Sequence, residues 1–514
     1  PGTGSSFLMK RFARDVLIIA AATAASRVFG LFRDVVIADR FGAGPAYDSY
    51  LIAFYIPHFL RRLLGEGALA LSFIPVYTGY LQTNREEAKK MASNAFNLAL
   101  IAFPFIVAGG ILLAPYFVPF LASGFSPDQQ QLTIELTRVI FPFIGIIGFA
   151  ALIMGILKSR KSFFAPSFAP VFFNLGVIVG AIYVGRFFAR PVFGLAVGVL
   201  IGGFGQLAFQ VPYLRRNGFV WSGNVFPVHP GIKRAARMML PVVIGLIAMQ
   251  VNVLVDNKLA SHLTAGSVSA LQYANRLFQL PLGLFAVAIS SAILPRLSEK
   301  WVGGDRDGFS SMLNRGVKFS LLIICPATLG LFLLGKPVIK LLFEHRNFLP
   351  SDTLMTAHVL DLYLIGLIGY SFVTLFTRAF YSTKDTKTPV IIGIIAVGVN
   401  VALDLLLVGP MEVGGLALAT GVSGLVNGVL LFVAFRFKTG LKEFFPDVKF
   451  VGKVLLAAVM MGLAVVGVRD FFPVENEFLL VAGTILAGLL AYILASLAVG
   501  LKETFIEEIV RIGD

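Results

Sequence analysis

Apolar stretches long enough to cross a lipid bilayer recur along almost the whole chain. A membrane-spanning helix needs about twenty mainly apolar residues, whereas a tilted barrel strand needs only about ten. The stretches are too long and too evenly apolar for barrel strands, so their backbone polar groups must be satisfied within helices. We therefore predict an all-α integral membrane protein with about fourteen spans, near residues 15–38, 47–80, 93–122, 131–157, 164–186, 191–213, 239–262, 267–295, 317–343, 354–381, 388–409, 415–436, 449–468 and 478–501.

Composition excludes several other classes of protein. Charged residues make up 14% of the 514 residues and the mean hydropathy is +0.84, whereas soluble domains are about one quarter charged. The single cysteine, Cys325, cannot form a disulfide framework. The phosphate-binding pattern Gly-x-x-x-x-Gly-Lys-Ser/Thr is absent, which argues against an ATP-driven pump in one chain. Residues 1–8 contain no methionine and are expected to be an artificial extension.

The positive charges are distributed unequally between alternate loops. The chain has a net charge of +15, and one set of loops and ends carries 29 Lys and Arg residues against seven in the opposite set. Lys and Arg are retained on the cytoplasmic side of membrane proteins, so both termini are predicted to be cytoplasmic. This asymmetry accounts for most of the net charge without a nucleic-acid partner.

A weak internal repeat divides the predicted spans into two similar sets. Ser159 and Pro166 precede the fifth span with the spacing at which Ser382 and Pro389 precede the eleventh, an offset of about 220 residues. Parallel repeats are a recurring plan among transporters. We therefore predict two pseudo-symmetric six-helix lobes followed by two additional helices, with boundaries at residues 9–216, 217–438 and 439–514.

Seven basic residues lie inside the spans rather than in loops. An ionised group at the bilayer centre costs at least a few kcal/mol and usually faces a polar interior. Arg27 and Arg33 lie in the middle and second half of the first span, where the side chain cannot easily extend to the interface. One interpretation is that at least one of them lines a cavity. The other is that they pair with Asp34 or Asp48.

Polar residues in the eleventh span suggest a second kind of site. Asn400 and Asp404 are four residues apart and therefore project from the same helical face. Two oxygen-bearing groups inside a membrane could bind a hard cation such as Na⁺, or a proton. Interhelical hydrogen bonding explains the same spacing.

Several segments of the sequence form a distinctive set: SRVFGLFRD at 26–34, FGAG at 41–44, Asp48, PHFLRRLLGEGA at 57–68, AGSVS at 265–269, YANRL at 273–277 and Pro281. Together they resemble the MurJ family, the lipid II flippases of bacterial cell-wall synthesis, in the superfamily that also contains the MATE drug exporters. The resemblance extends to the fourteen-helix architecture. It implies a multi-pass protein of the bacterial cytoplasmic (inner) membrane that moves lipid II to the outer leaflet by alternating access, linked to Na⁺ or membrane potential.

The resemblance also implies the residues of each site. A cationic cavity between the lobes would bind the pyrophosphate of lipid II, or chloride in its place, through Arg27, Arg33, Arg61 and Arg276, with Asp34, Asp48 and Glu66 nearby. A Na⁺ site would contain Asp256, Asn400, Asp404 and Thr420. The last two helices, over 455–467 and 478–501, would form a groove for the prenyl tail. The protein is expected to act as a monomer among membrane lipids.

Two other function classes need a different site chemistry. A flippase of another lipid-linked oligosaccharide or a MATE-like drug exporter would use the same fold, although drug exporters that favour organic cations need an acidic cavity. A membrane-embedded prenyl transferase would hold Mg²⁺ on paired aspartate-rich motifs, and the sequence contains none. We therefore expect a transporter rather than an enzyme.

Overall fold

The computed structural model describes residues 3–62, 68–219, 221–223, 227–248, 250–441, 443–471 and 476–501. Side chains are described from residue 18 onward, except at positions 62, 68, 70, 242, 244–246 and 248 within helices. Glu66, predicted to lie near the arginines, falls outside the described residues. The described residues form helices joined by short turns, and none of them is in a β-strand.

The contacts divide the chain into two compact units. Unit 1 contains the described residues up to Gly266 together with Arg346–Phe348, and unit 2 contains the remaining described residues. The helices of unit 1 are α1 (Thr3–Phe41), α2 (Pro45–Arg62), α3 (Ala68–Thr83), α4 (Arg85–Leu121), α5 (Pro127–Ile140), α6 (Phe143–Ser159), α7 (Phe164–Phe168), α8 (Pro170–Ile182), α9 (Phe193–Arg216), α10 (Pro230–Ala248) and α11 (Val251–Ala260).

Unit 2 contains a further eight described helices: α12 (Ser267–Pro281), α13 (Val287–Val302), α14 (Arg306–Phe343), α15 (Pro350–Leu364), α16 (Leu367–Ser382), α17 (Lys387–Thr439), α18 (Val448–Phe471) and α19 (Glu477–Ala498). A π-helical turn at Leu282–Ala286 joins α12 to α13 directly after Pro281. The assignment of α17 merges two helices at a kink, where Glu412 has φ 49° and ψ −131°. This kink lies between the predicted eleventh and twelfth spans.

The prediction of an all-α membrane protein is confirmed. Nine helices among the described residues are long and apolar enough to cross a membrane, or ten if the bent pair α15 and α16 is one span. One of the nine is α17, which covers two predicted spans because it contains the kink. The count of fourteen stays a prediction, as do the lobe boundaries. The compact units follow contacts rather than the repeat, and they group residues 230–266 with unit 1.

Glycines allow α8 and α9 to pack at backbone distance. A Cβ atom added to Gly176 would lie 2.2 Å from the backbone nitrogen of Gly202, and one added to Gly180 would lie 2.2 Å from the carbonyl oxygen of Gly194. Small residues at four-residue spacing let helices approach this closely in membranes. The contact fixes α8, and α8 carries the side chains that contact two of the predicted site arginines.

Candidate functional site

Arg33 lies on α1 in a nearly buried environment. Its side chain is 13% exposed, and its Nε and Nη2 atoms donate to Asp34 Oδ1 at 3.0 and 2.6 Å. Nη1 donates to Asn174 Oδ1 on α8 at 3.1 Å. The interpretation that Arg33 pairs with Asp34 is therefore confirmed for this residue. Because both partners are fixed by helices, the guanidinium is held in one orientation.

Asn174 connects the two helices through both ends of its amide. Its Oδ1 accepts from Arg33, and its Nδ2 donates to the carbonyl oxygen of Ser26 at 3.1 Å. Gly30 lies between these two positions on α1 and faces the same amide, since a Cβ added there would be 3.7 Å from Asn174 Nδ2. The two hydrogen bonds determine which way the amide is turned and therefore direct its oxygen towards Arg33.

An aromatic row runs along one face of α2 and ends at a cation. The side chains are spaced three or four residues apart, which places them on one helical face. Ring centroids are 5.9 Å apart for Tyr47 and Tyr50, 5.8 Å for Tyr50 and Phe54, and 5.4 Å for Phe54 and His58. Arg61 follows His58 at the next position of this row.

Arg61 contacts both α2 and α8. Its Nη2 lies 3.1 Å from His58 Nε2, and because arginine can only donate, the imidazole nitrogen must accept. The guanidinium carbon lies 6.0 Å from the centre of the Phe173 ring. Phe173 also stacks on Phe54 at 6.1 Å. The row on α2 and the side of α8 therefore form an aromatic wall next to Arg61.

The consecutive residues Phe173 and Asn174 thus contact Arg61 and Arg33, respectively. A guanidinium presents donors in a planar fork that matches two oxygens of a phosphate and keeps its charge inside a membrane. Aromatic rings beside such cations suit a ligand with both anionic and apolar parts. This part of unit 1 can therefore recognise a phosphate attached to a larger amphipathic molecule.

The other predicted residues of unit 1 have different environments. Arg27 is exposed, and no ion pair involves it within the described ranges. Asp48 is 2% exposed, and its Oδ2 accepts the backbone N–H of Gly266 at 2.7 Å. Gly266 has a φ of +91°, and a Cβ there would lie 2.4 Å from the carbonyl oxygen of Ala43. The hydrogen bond to Asp48 therefore stabilises the close packing of Gly266 against Ala43. The predicted role of Asp48 in substrate binding stays a prediction.

Arg276 is the predicted arginine of unit 2. It lies on α12 with an exposed side chain, whereas the following Leu277 and Phe278 are buried. The helix is therefore amphipathic here, with the cation on its exposed face.

The predicted ion-binding residues are divided between the units. Asn400 and Asp404 lie on the first part of α17, with both side chains 0% exposed. Thr420 lies beyond the kink on the same helix, and Asp256 lies on α11 in unit 1. Neither amide atom of Asn400 nor the hydroxyl of Thr420 has a hydrogen-bond partner among the described residues. No group of three His, Cys, Asp or Glu side chains able to hold a metal occurs in that part of the chain.

Sequence reasoning missed the two α8 residues that contact the arginines. The available signal was a polar residue, Asn174, inside the apolar fifth span. A single sequence does not reveal that this residue is next to Arg33, which is 141 positions away.

The fold is that of a helical membrane transporter, and the chemistry of these arginines suits an anionic group on a ligand. The family model described as "Lipid II flippase MurJ" matches residues 37–504. A probable lipid II flippase MurJ of Vibrio cholerae is 33% identical over 509 residues, which cover 96% of this chain and 97% of that protein. The lipid II flippase MurJ of Burkholderia cenocepacia is 34% identical over 460 residues, which cover 87% and 89%. The chain belongs to the MurJ family of lipid II flippases.

Solved structures support the same assignment. A lipid II flippase MurJ in an inward closed conformation aligns with a TM-score of 0.81 and 28% identity, covering 96% of this chain and 100% of that one. An inward-facing MATE multidrug transporter aligns with a TM-score of 0.69 and 17% identity, covering 82% and 98%. The second likeness concerns the fold alone, and it agrees with the predicted superfamily.

Proposed function

We propose that this chain moves lipid II from the cytoplasmic to the outer leaflet of the bacterial inner membrane by alternating access. In this mechanism the binding site opens to one side of the membrane at a time, and no covalent bond of the lipid is made or broken. The observation that carries the proposal is the placement of Arg33 and Arg61 against consecutive residues of α8. Family membership supports the choice of lipid II over another lipid-linked oligosaccharide or a drug.

The pyrophosphate is the part of lipid II that these arginines would bind. Arg33 currently donates two hydrogen bonds to one oxygen of Asp34. Two oxygens of a pyrophosphate would accept these donors in bidentate geometry and carry more negative charge, so the lipid would compete with this carboxylate for the guanidinium. The family resemblance suggests that Arg61, Arg27 and Arg276 would supply further positive charge. Asp34 would then keep Arg33 oriented in the absence of the lipid.

Membrane potential would favour the outward direction. Moving one elementary charge through the field is worth about 2.3 kcal/mol per 100 mV. An anionic headgroup therefore leaves more readily towards an outside that is positive. Its charge would be partly neutralised by the arginines during transit, which lowers the cost of crossing.

Sodium is the proposed coupling ion, and residues of α17 fit it. The carbonyl oxygen of Asn400 and the hydroxyl oxygen of Thr420 are buried acceptors without hydrogen-bond partners in the described chain. Asp404, four residues after Asn400 and 0% exposed, supplies a carboxylate. Na⁺ prefers oxygen ligands and would offset the cost of burying that charge. Asp256 is proposed as a fourth ligand from the resemblance alone.

Genetic complementation tests the proposed function. The resident lipid II flippase of a walled bacterium is depleted while this chain is expressed, and growth is followed. We expect rescue by the parent chain and loss of rescue by Arg33→Ala or Arg276→Ala at equal expression. Normal growth with both variants would contradict the arginine mechanism. Failure of the well-expressed parent chain in several hosts would instead favour export of another lipid-linked glycan.

A further inference from the structure

A cleft opens between α3 and α10 in unit 1, and its described lining includes neither Arg33 nor Arg61. Its volume is about 380 Å³. Pro75, Val76 and Gly79 line it from α3, and Arg234 and Met238 line it from α10. A Cβ atom added to Gly79 would meet no atom within 4 Å, so the cleft is open at this point. Its volume is within the range of small-ligand sites.

Arg234 places a positive charge at the cleft, and two further basic residues lie close to it in the sequence of α10. Lys233, Arg234 and Arg237 are all exposed and lie within five consecutive residues of α10. None of them forms an ion pair with an acidic side chain in the described residues, and the two glutamates at the start of α4 have other partners. Glu86 pairs with Lys89, and Glu87 pairs with Lys90 and His229.

Apart from Arg234 and the hydroxyl groups of Tyr80 and Thr83, the cleft is lined by apolar groups. Arg234 and Met238 are four residues apart and therefore lie on the same face of α10, with the cation one turn before the thioether. Met238 is 41% exposed, and Leu240 beyond it is 63% exposed. Basic residues followed by exposed apolar ones are typical of a helix that enters the lipid from the membrane surface. The charge asymmetry of the loops predicts that this surface is the cytoplasmic one.

The basic end of α10 is held in place by a buried histidine. The backbone N–H of His229 donates to Asn94 Oδ1 at 3.0 Å, and its Nδ1 accepts the N–H of Gly231 at 3.0 Å. His229 Nε2 lies 3.0 Å from Glu87 Oε2. These contacts fix the first turn of α10 against α4, so Arg234 is positioned before any ligand binds.

We propose that this cleft binds an anionic phospholipid of the cytoplasmic leaflet. Arg234 would bind the phosphate, with Lys233 and Arg237 adding charge at the headgroup. The first part of an acyl chain would lie over Val76, Gly79 and Met238. Charge complementarity selects an anionic lipid over a zwitterionic one, and the apolar wall selects a lipid over a free phosphate ion.

Binding to the purified full chain tests this proposal. Delipidated protein in detergent is titrated with phosphatidylglycerol, with phosphatidylcholine or with inorganic phosphate, and bound lipids are counted by native mass spectrometry. The test variants are Arg234→Gln, which removes the charge, and Gly79→Leu, which fills the cleft. Arg216→Gln is the matched control, because Arg216 is an exposed arginine at the end of α9 outside the cleft.

We expect one phosphatidylglycerol to bind the parent chain more tightly than phosphatidylcholine. Arg234→Gln should weaken this binding about fivefold, because each basic residue near a lipid surface contributes about 1 kcal/mol. Gly79→Leu should weaken it without changing any charge, and Arg216→Gln should have no effect. Equal binding of both lipids, equal loss with Arg216→Gln, or displacement of the lipid by millimolar inorganic phosphate would overturn the proposal. If Arg234→Gln does not fold, the preference of the parent chain for phosphatidylglycerol tests the charge, and Gly79→Leu tests whether the lipid occupies the cleft.

Discussion

The oxygen of the Asn174 side chain lies 3.1 Å from Nη1 of Arg33, and it joins α8 to the part of α1 that carries the cation. The adjacent Phe173 lies beside Arg61. Two arginines on different helices are therefore positioned by one short stretch of a third helix. Since α8 packs against α9 through glycines at backbone distance, this stretch has little freedom to move independently.

Replacing Arg33 separates its charge from its hydrogen-bond geometry. We expect Arg33→Ala to abolish rescue of flippase-depleted cells, and Arg33→Lys to reduce rescue substantially, because lysine is a point charge without the bidentate fork. Growth rate at matched membrane expression is the measurement. Arg216→Lys is the control for arginine loss in general. Full rescue by Arg33→Lys would show that charge alone is sufficient.

Changing Asn174 tests the orientation of Arg33. Asn174→Asp should reduce transport at least severalfold, because a second carboxylate would compete with the lipid phosphate for Arg33, and it should also lower stability because a carboxylate cannot donate to the Ser26 carbonyl. Asn174→Leu should lower the free energy of unfolding by about 1–3 kcal/mol, because the Ser26 carbonyl and Nη1 of Arg33 would each lose a hydrogen-bond partner. Thermal stability in detergent and growth rescue separate the two effects. Leu175→Ala, a partly exposed neighbour, is the control.

His58 is expected to act as a hydrogen-bond acceptor for Arg61. His58→Asn retains an acceptor and should preserve most of the activity, whereas His58→Leu should reduce it, because Arg61 would lose one of its positioning contacts. The comparison is made by lipid II translocation at equal expression. Equal activity of the two variants would contradict a positioning role for the imidazole.

Sodium dependence should be lost when an α17 ligand is removed. A ligand at 100 times its dissociation constant stabilises the folded state by about 2.7 kcal/mol. We therefore expect NaCl, but not choline chloride, to raise the melting temperature of the parent chain, and Asn400→Leu to abolish that difference. Leu405→Ala is the control, because this side chain is exposed on the same helix. A Na⁺ effect that persists in Asn400→Leu would exclude this site.

Asp385, in the turn between α16 and α17, gives a pH prediction. Burial alone would raise the pKa of its carboxyl, but hydrogen bonds from Thr388 and Lys438 outweigh burial and lower the pKa to about 2. A lowered carboxyl pKa stabilises the folded state above the unfolded value of about 4, and this stability is lost as pH falls towards the folded value.

Asp385→Asn should therefore lower the melting temperature at pH 7, with a cost of about 1 kcal/mol after solvent screening of the exposed Lys438 is allowed for. The difference from the parent chain should shrink as the pH falls from 5 to 3. Melting curves of both proteins across this range are the measurement. Glu443→Gln, at an exposed carboxyl, serves as control. A difference that is independent of pH would contradict the assigned cause.

The fold class was predictable because the hydrophobic pattern is a local property of the sequence. Apolar stretches and loop charges can be identified without knowing which residues are in contact. The break predicted between the eleventh and twelfth spans coincides with the kink at Glu412. The grouping of α10 and α11 with unit 1 was not predictable in this way, because it depends on packing against α3 and α4. The internal repeat indicates pseudo-symmetry between two sets of helices, and this symmetry does not determine which helices pack together.

Of the residues in the candidate site, only the charged ones could be proposed from the sequence. Arg33 and Arg61 are conspicuous because charges in an apolar span are expensive, and the resemblance gave them a role. Their partners Asn174 and Phe173 are ordinary residues for a membrane helix, and only the long-range packing of α8 makes them important. The contact of Asp48 with Gly266, 218 positions away, depends on packing in the same way.

The most direct test measures lipid II itself. Cells depleted of their own flippase express this chain, and lipid II accessible from outside is quantified before and after the chain is induced. We expect accessible lipid II to rise with the parent chain and with Arg216→Lys, and not to rise with Arg33→Ala. Accessible lipid II that stays low with well-expressed parent protein, or rises equally with Arg33→Ala, would contradict it.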